Sequence, residues 1–182
     1  NSSDTDSSRP VSVTGLVSGV QAIAAGEHHT CALRTDGELV CWGSNWAGQL
    51  GNPTAPDPTF VPLPVVGLAG KVKAFGLGYD HTCAVTEAGV AQCWGYNYWG
   101  QLGRGTFSPF SSTPMTVTGR VSDVTAVAPG NQHTCAIVSD RVKCWGHGGY
   151  YQLGNNTPLP VGELYSTPIP IDAGVFPAAV VD

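Results

Sequence analysis

Apolar and polar residues alternate along the chain in short runs cut off by turn signals. Val121-Ser122-Asp123-Val124-Thr125-Ala126-Val127 alternates in this way and stops at Pro129-Gly130. Thr134 to Val138 is a second run and Arg141 to Trp145 a third, with a tight turn between them. A period of two sends successive side chains to opposite faces of a pleated strand, so the runs predict strands and no helix. A further strand opens with proline, which has no N–H to give a ladder and is confined to an edge or a strand start. The pattern predicts about four short strands in roughly 50 residues.

The same set returns along the chain. His29-Thr30-Cys31-Ala32 recurs as His81-Thr82-Cys83-Ala84 and His133-Thr134-Cys135-Ala136, each copy 52 residues after the last. Cys41-Trp42-Gly43 recurs as Cys93-Trp94-Gly95 and Cys144-Trp145-Gly146, at intervals of 52 and 51 residues. Gly48-Gln49-Leu50-Gly51 matches Gly100-Gln101-Leu102-Gly103, and the third copy reads Tyr151-Gln152-Leu153-Gly154. Pro10, Pro62, Pro114 and Pro168 open the units. After a polar tail, 1–9, the repeats are therefore 10–61, 62–113 and 114–167, and 168–182 begins a fourth. Strand units of this size predict an all-β fold of propeller-type blades.

The combination G-x-x-H-T-C-A-(L/V/I), C-W-G and G-Q-L-G resembles the repeat of the regulator of chromosome condensation 1 (RCC1) family. The likeness covers nearly all of the chain after Arg9. It implies a propeller, which in that family usually closes with about seven blades. Two features depart from the family pattern. Paired cysteines are not general in that repeat, and three full repeats fall short of the roughly four or more blades of a closed propeller.

Composition narrows the function. With 182 residues the chain has room for one domain and a sizeable core. Only 12% of residues are charged and the formal net charge is −5, which argues against a nucleic-acid partner. The 24 Gly and 14 Pro suit a turn-rich fold, while 42% apolar content excludes disorder. No apolar run approaches the ~18 residues of a membrane span. Asn1 to Ser8 is polar and lacks a basic-then-apolar leader pattern, as in the mature form of an exported protein.

Six cysteines fall as one pair per repeat: Cys31 with Cys41, Cys83 with Cys93, and Cys135 with Cys144. Setting each pair opposite across a hairpin leaves the loops Thr35-Asp36-Gly37 and Glu87-Ala88-Gly89. Both end in the glycine that a three-residue loop with a G1 bulge requires. The third pair leaves the two-residue loop Ser139-Asp140, having lost the bulge residue. All three pairs are then close enough for disulfides. Disulfides place the protein in an extracellular, cell-surface or periplasmic setting. The rival readings are reduced core thiols, or a zinc site of His29, Cys31 and Cys41, one ligand short of a closed structural site.

Residues repeated in every unit solve a shared packing problem. His29, His81 and His133 are expected to satisfy a blade hydrogen bond. Trp42, Trp94 and Trp145 are expected between blades, and so are Leu50, Leu102 and Leu153. Function belongs where the repeats differ. The stiff, proline-bearing segments Asn52 to Pro58, Arg104 to Phe110 and Asn155 to Tyr165 differ, as do the aromatics near the Gln-Leu-Gly turns. Trp46, Tyr96, Tyr98, Trp99, Phe107, Phe110, Tyr150 and Tyr151 form the candidate contact surface, since turn aromatics join a flat apolar face to a polar tip. Packing on a neighbouring blade is the alternative for them.

No P-loop, His-Glu-x-x-His or Gly-x-Ser-x-Gly pattern occurs, so no catalytic residue, metal or cofactor is expected. Asn1-Ser2-Ser3 and Asn155-Asn156-Thr157 match the glycosylation pattern, which matters only for a eukaryotic source. The incomplete fourth unit leaves a candidate assembly edge at Pro168, Ile169, Ile171, Val180 and Val181. The expected function is a non-enzymatic extracellular module contacting a protein or glycan through its variable loops. The alternative is a structural subunit that joins copies of itself head to tail into a ring or fibre. Nucleotide exchange on a small GTPase, which eukaryotic members of the family perform, fits poorly with disulfides.

Overall fold

The computed structural model describes residues 5–119, 122–154 and 166–172, and within them every regular element is a strand. The strands are β1 (Val20–Ala25), β2 (His29–Arg34), β3 (Leu39–Gly43) and β4 (Thr59–Pro64). The second set is β5 (Val72–Leu77), β6 (His81–Thr86), β7 (Ala91–Tyr96) and β8 (Phe110–Thr116). The third is β9 (Val124–Pro129), β10 (His133–Val138), β11 (Arg141–His147) and β12 (Ser166–Asp172). Each set forms one antiparallel four-stranded sheet in chain order, the meander of a propeller blade.

The hairpins follow the cysteine arithmetic. Cys31 stands opposite Cys41, Cys83 opposite Cys93 and Cys135 opposite Cys144, and each pair is a disulfide with its Cα atoms 4.1 Å apart. Gly37 and Gly89 close the three-residue loops at φ +87° and +77°. In the two-residue loop both Ser139 and Asp140 are left-handed, the type I′ geometry that matches strand twist. Because the cysteines are joined to each other, the zinc and free-thiol readings do not hold.

The proline strand falls in a different place from the sequence reading. Pro62, Pro114 and Pro168 lie in β4, β8 and β12, which pair with β3, β7 and β11. Each is thus the last strand of the sheet before it, at that sheet's free edge, where a missing N–H costs no ladder bond. Pro10 lies outside any strand. Repeats counted from proline are therefore out of phase with the sheets by one strand. The strand that holds Pro168 begins at Ser166, pairs with β11 and completes the third blade, so as far as residue 172 it is not the start of a fourth. Ile169 and Ile171 lie on that strand, while Val180 and Val181 fall outside the described residues.

The core lies between sheets. Cys31, Leu33, Leu39, Cys41 and Leu50 of the first blade meet Val72, Ala84 and Trp94 of the second. Cys83, Val85, Ala91, Cys93, Leu102 and Val117 of the second meet Val124, Ala136, Val138 and Trp145 of the third. Each disulfide of the first two blades is thus part of the wall on which the following blade packs. One face of β6 points to the third blade, through Cys83 and Val85, and the other to the first, through Ala84, which is why all six of its residues are buried.

Candidate contact surface

Two features meet at the end of the blades that carries the β1–β2 and β3–β4 loops: a polar joint between sheets and an arc of rings across them. The joint is built from the repeated residues. The Gln49 carbonyl accepts hydrogen bonds from the Thr82 hydroxyl (2.8 Å) and the Trp94 indole (2.9 Å) of the next blade. His29 Nε2 lies 2.8 Å from Thr82 Oγ1. Thr82 spends its only proton on Gln49, so its oxygen accepts from His29, which therefore carries its proton on Nε2. The next joint repeats it: Thr134 and Trp145 donate to the Gln101 carbonyl at 2.9 and 2.8 Å, and His81 Nε2 lies 2.9 Å from Thr134 Oγ1.

His29 Nδ1 and His81 Nδ1 are buried without a partner. In this tautomer each is a bare lone pair, and a second proton there would be a buried charge. Desolvation accordingly holds His29 down at about 4, aided by neighbouring His28, and His81 at about 3, aided by His29 and His133. The glycines of the motif make room for the joint. A Cβ on Gly26 would stand 2.8 Å from His29 Cε1 and 2.6 Å from the Gly78 carbonyl. One on Gly51 would stand 2.6 Å from the Trp94 indole nitrogen.

The arc runs outside this joint. Ring centroids follow one another from Trp46 to Tyr96 (5.5 Å), Tyr98 (6.4 Å), Trp99 (5.4 Å), His147 (4.6 Å) and Tyr150 (6.0 Å). It starts on the first blade, crosses the second and ends on the third. Tyr96 and Tyr98 are stacked while the last three contacts are edge-on, and Trp46, Tyr98 and Tyr150 are 54%, 58% and 85% exposed. Asp80 anchors the start, accepting from the Trp46 indole and the Gln49 amide, both at 3.1 Å. Burial raises the Asp80 pKa, and the Trp46 hydrogen bond and nearby His28 oppose that rise.

The loops beneath are tied down. Asn45 Oδ1 accepts from the Leu50 amide and Asn97 Oδ1 from the Leu102 amide, at 3.2 and 3.0 Å. Their amide groups donate onward to the Ala55 and Thr106 carbonyls, at 3.1 and 3.0 Å. Asp57 accepts from the Asn45 amide at 2.6 Å.

Of the eight aromatics singled out in the sequence, five join the arc. Phe107 and Phe110 are exposed on the β7–β8 loop and at the start of β8, away from the ring series. Tyr151 is exposed, with φ +61° where Gly48 and Gly100 have +75°. His147 is the sixth ring, and the sequence reading passed over it because its equivalents, Ser44 and Tyr96, do not single out histidine. Asp80 was missed for the same reason: His28 and Gln132 hold its place in the other repeats.

Comparison with known proteins assigns the repeat. Two descriptions of the "Regulator of chromosome condensation (RCC1) repeat" match, one over residues 20–49 and 72–101, the other over 36–85 and 92–137. The chain belongs to the RCC1 repeat family. It is 36% identical over 155 residues to the human E3 ubiquitin-protein ligase HERC2, covering 80% of this chain and 3% of that one. It is 30% identical to a mouse secretion-regulating guanine nucleotide exchange factor (87% of this chain, 39% of that one). To the Arabidopsis thaliana ultraviolet-B receptor UVR8 it is 33% identical (85% and 35%).

Among solved structures, Saccharomyces cerevisiae Prp20p, studied for its binding to Gsp1p and histones, superposes with a TM-score of 0.76. The match has 21% identity and covers 91% of this chain and 41% of that one. The RCC1-type chain described here thus spans well under half the length of these relatives. No helix among its described residues is long and apolar enough to cross a membrane.

Proposed function

We propose that this RCC1-repeat chain is a non-enzymatic, exported module that binds a partner protein through the ring arc. The observation that carries this reading is the unbroken series of six rings over three blades, of which Trp46, Tyr98 and Tyr150 are exposed. A rigid aromatic platform loses little entropy on binding, and Trp and Tyr dominate the energetics of protein contacts. Three disulfides support an oxidising compartment. A glycan stacked on the same rings is the second partner class that such a platform accommodates. The exchange activity named for the mouse relative belongs to that protein and is no part of this reading.

The test is a peptide-display selection on the intact chain, with its binders and a glycan array then measured on Tyr98→Ala and Tyr150→Ala. Binders that lose about tenfold or more in affinity, roughly 1.4 kcal/mol, support the reading. Loss of array binding with no selected peptide makes a glycan the partner. Binders that hold both variants as tightly as the parent protein overturn it.

A further inference from the structure

The β1–β2, β5–β6 and β9–β10 loops each begin with a glycine that the histidine behind it leaves no room to replace. A Cβ on Gly78 would stand 2.3 Å from His81 Cε1, and one on Gly130 2.2 Å from His133 Cε1, as on Gly26. Gly26, Gly78 and Gly130 therefore make a floor of bare backbone. The residues that follow them, Glu27, Tyr79 and Asn131, stand around a pocket of about 260 Å³ on that floor. Its walls come from these loops and from neither outer face of the blade series, and it lies at the same end as the ring arc.

The pocket offers acceptors, and its main-chain donors are already used. Each glycine N–H bonds inside its own hairpin, to the His29, His81 and His133 carbonyls, all at 2.8 Å. The Gly78 and Gly130 carbonyls point back at the blade before, 2.6 and 2.4 Å from where a Cβ of Gly26 or Gly78 would lie. No described residue donates an N–H or O–H to either carbonyl. The Glu27 side chain is exposed and has no ion-pair partner among the described residues. Tyr79 adds a ring, 40% exposed and edge-on to His28 at 5.7 Å.

Charge is segregated between the two ends of the blades. The described loops at this end carry Glu27, Asp57 and Asp80. Their basic residue, Arg104, follows Gly103, whose carbonyl accepts from the Thr118 amide beyond the far end of β8. Arg34, Lys71, Lys73, Arg141 and Lys143 lie at the opposite end, in or near the β2–β3, β4–β5 and β10–β11 loops.

We propose that this pocket seats an arginine side chain of the partner protein that covers the ring arc. The seat rests on the ring-arc reading and names the chemistry that the partner brings to it. A guanidinium carries its donors in a planar fork and has no acceptor, the complement of a carboxylate flanked by unpaired carbonyls. Glu27 pairs with the fork, the Gly78 and Gly130 carbonyls accept further N–H groups, and the Tyr79 ring supports the cation. A bare metal ion is less well served, since no three His, Cys, Asp or Glu come together among the described residues. Pocket and arc share a backbone segment. Tyr79 lines the pocket, and Asp80, next in the chain, holds the Trp46 indole that starts the arc. The carboxylate is also where the repeats differ, because Tyr79 and Asn131 stand at the position of Glu27.

The experiment titrates the intact chain with N-acetylarginine amide and with its neutral isostere, N-acetylcitrulline amide. The Gly26, Gly78 and Gly130 amide signals are followed by NMR. The arginine compound is expected to shift them saturably and the citrulline compound to leave them in place. Glu27→Gln, at an exposed position, should weaken arginine binding about fivefold, the upper end for an exposed ion pair. Tyr98→Ala should leave arginine binding unchanged. Equal shifts from the two compounds, no shift from either, or a Glu27→Gln variant that binds arginine like the parent overturns the proposal. Peptides selected on the intact chain separate the pocket from the arc. Binders weakened by Tyr98→Ala but indifferent to Glu27→Gln overturn the pocket and leave the arc standing. Arginine binding without any Tyr98-sensitive binder sinks the arc and upholds the pocket as a guanidinium site.

Discussion

At the residue scale, the repeated motif G-x-x-H-T-C…C-W-G…G-Q-L-G reads as one joint seen from both sides. Histidine and the Gln carbonyl face the following blade, while threonine and tryptophan face the preceding one. Cysteine closes the hairpin, and the glycines keep Cβ atoms out of the contact. Magnitudes rank the parts. A net hydrogen bond contributes about 1 kcal/mol, but an orphaned buried donor costs about 1–3 kcal/mol. Removing a buried Trp side chain costs about 3–5 kcal/mol. Thr82→Val is therefore expected to lower unfolding stability by about 1–3 kcal/mol, and Trp94→Ala by more, in denaturant titrations.

The same joint sets a pH dependence. His29 and His81 have folded pKa values of about 4 and 3, below the unfolded 6.5. The unfolded chain thus binds protons first as the pH drops. Stability is full above pH 6.5, declines as pH falls below it, and levels off only below about 4 for His29 and 3 for His81. Thermal melts from pH 8 down to 4 should show a falling midpoint, and a melting temperature unchanged over that range contradicts the buried neutral histidines. Histidine as a blade hydrogen bonder was legible in the sequence. Its partner was not, because Thr82 belongs to the next repeat, 53 positions away.

At the scale of the element, the cysteine pairs illustrate what spacing can decide. A hairpin ladder is a counting problem, so Gly37, Gly89 and the shortened Ser139-Asp140 loop were enough to set the cysteines of each pair opposite one another. Each bridge closes a loop of about ten residues and is expected to add about 2.5–3 kcal/mol in the chain-entropy account. Replacing Cys31 and Cys41 together by Ala should lower stability by that order, with the remaining bridges intact by mass. An unchanged unfolding midpoint in the double variant contradicts that assignment.

The proline strand was misplaced for a physical reason. Proline marks an edge but does not say which sheet the edge belongs to, and sequence order favours neither. Only the pairing of β4 with β3 decides it. The ring arc was partly legible for a related reason: aromatics stand out singly, whereas their alignment depends on how successive blades stack.

At the scale of the whole molecule, the three described blades stack through two filled joints. The stack has no lone hydrophobic centre. Its stability resides in nearest-neighbour contacts, as in other repeat proteins, and among the described residues the middle blade is packed on both faces. Loosening of the terminal sheets should therefore precede that of the middle one. Hydrogen exchange should show β6 and β7 protected longest and β1 exchanging early.

The measurement that tests the account most directly is nitrogen-detected NMR of the histidine rings across pH. His29 and His81 are expected in the Nε2-protonated neutral form and to stay so down to about pH 4 and 3 respectively. Titration of His29 or His81 near 6.5 would contradict it.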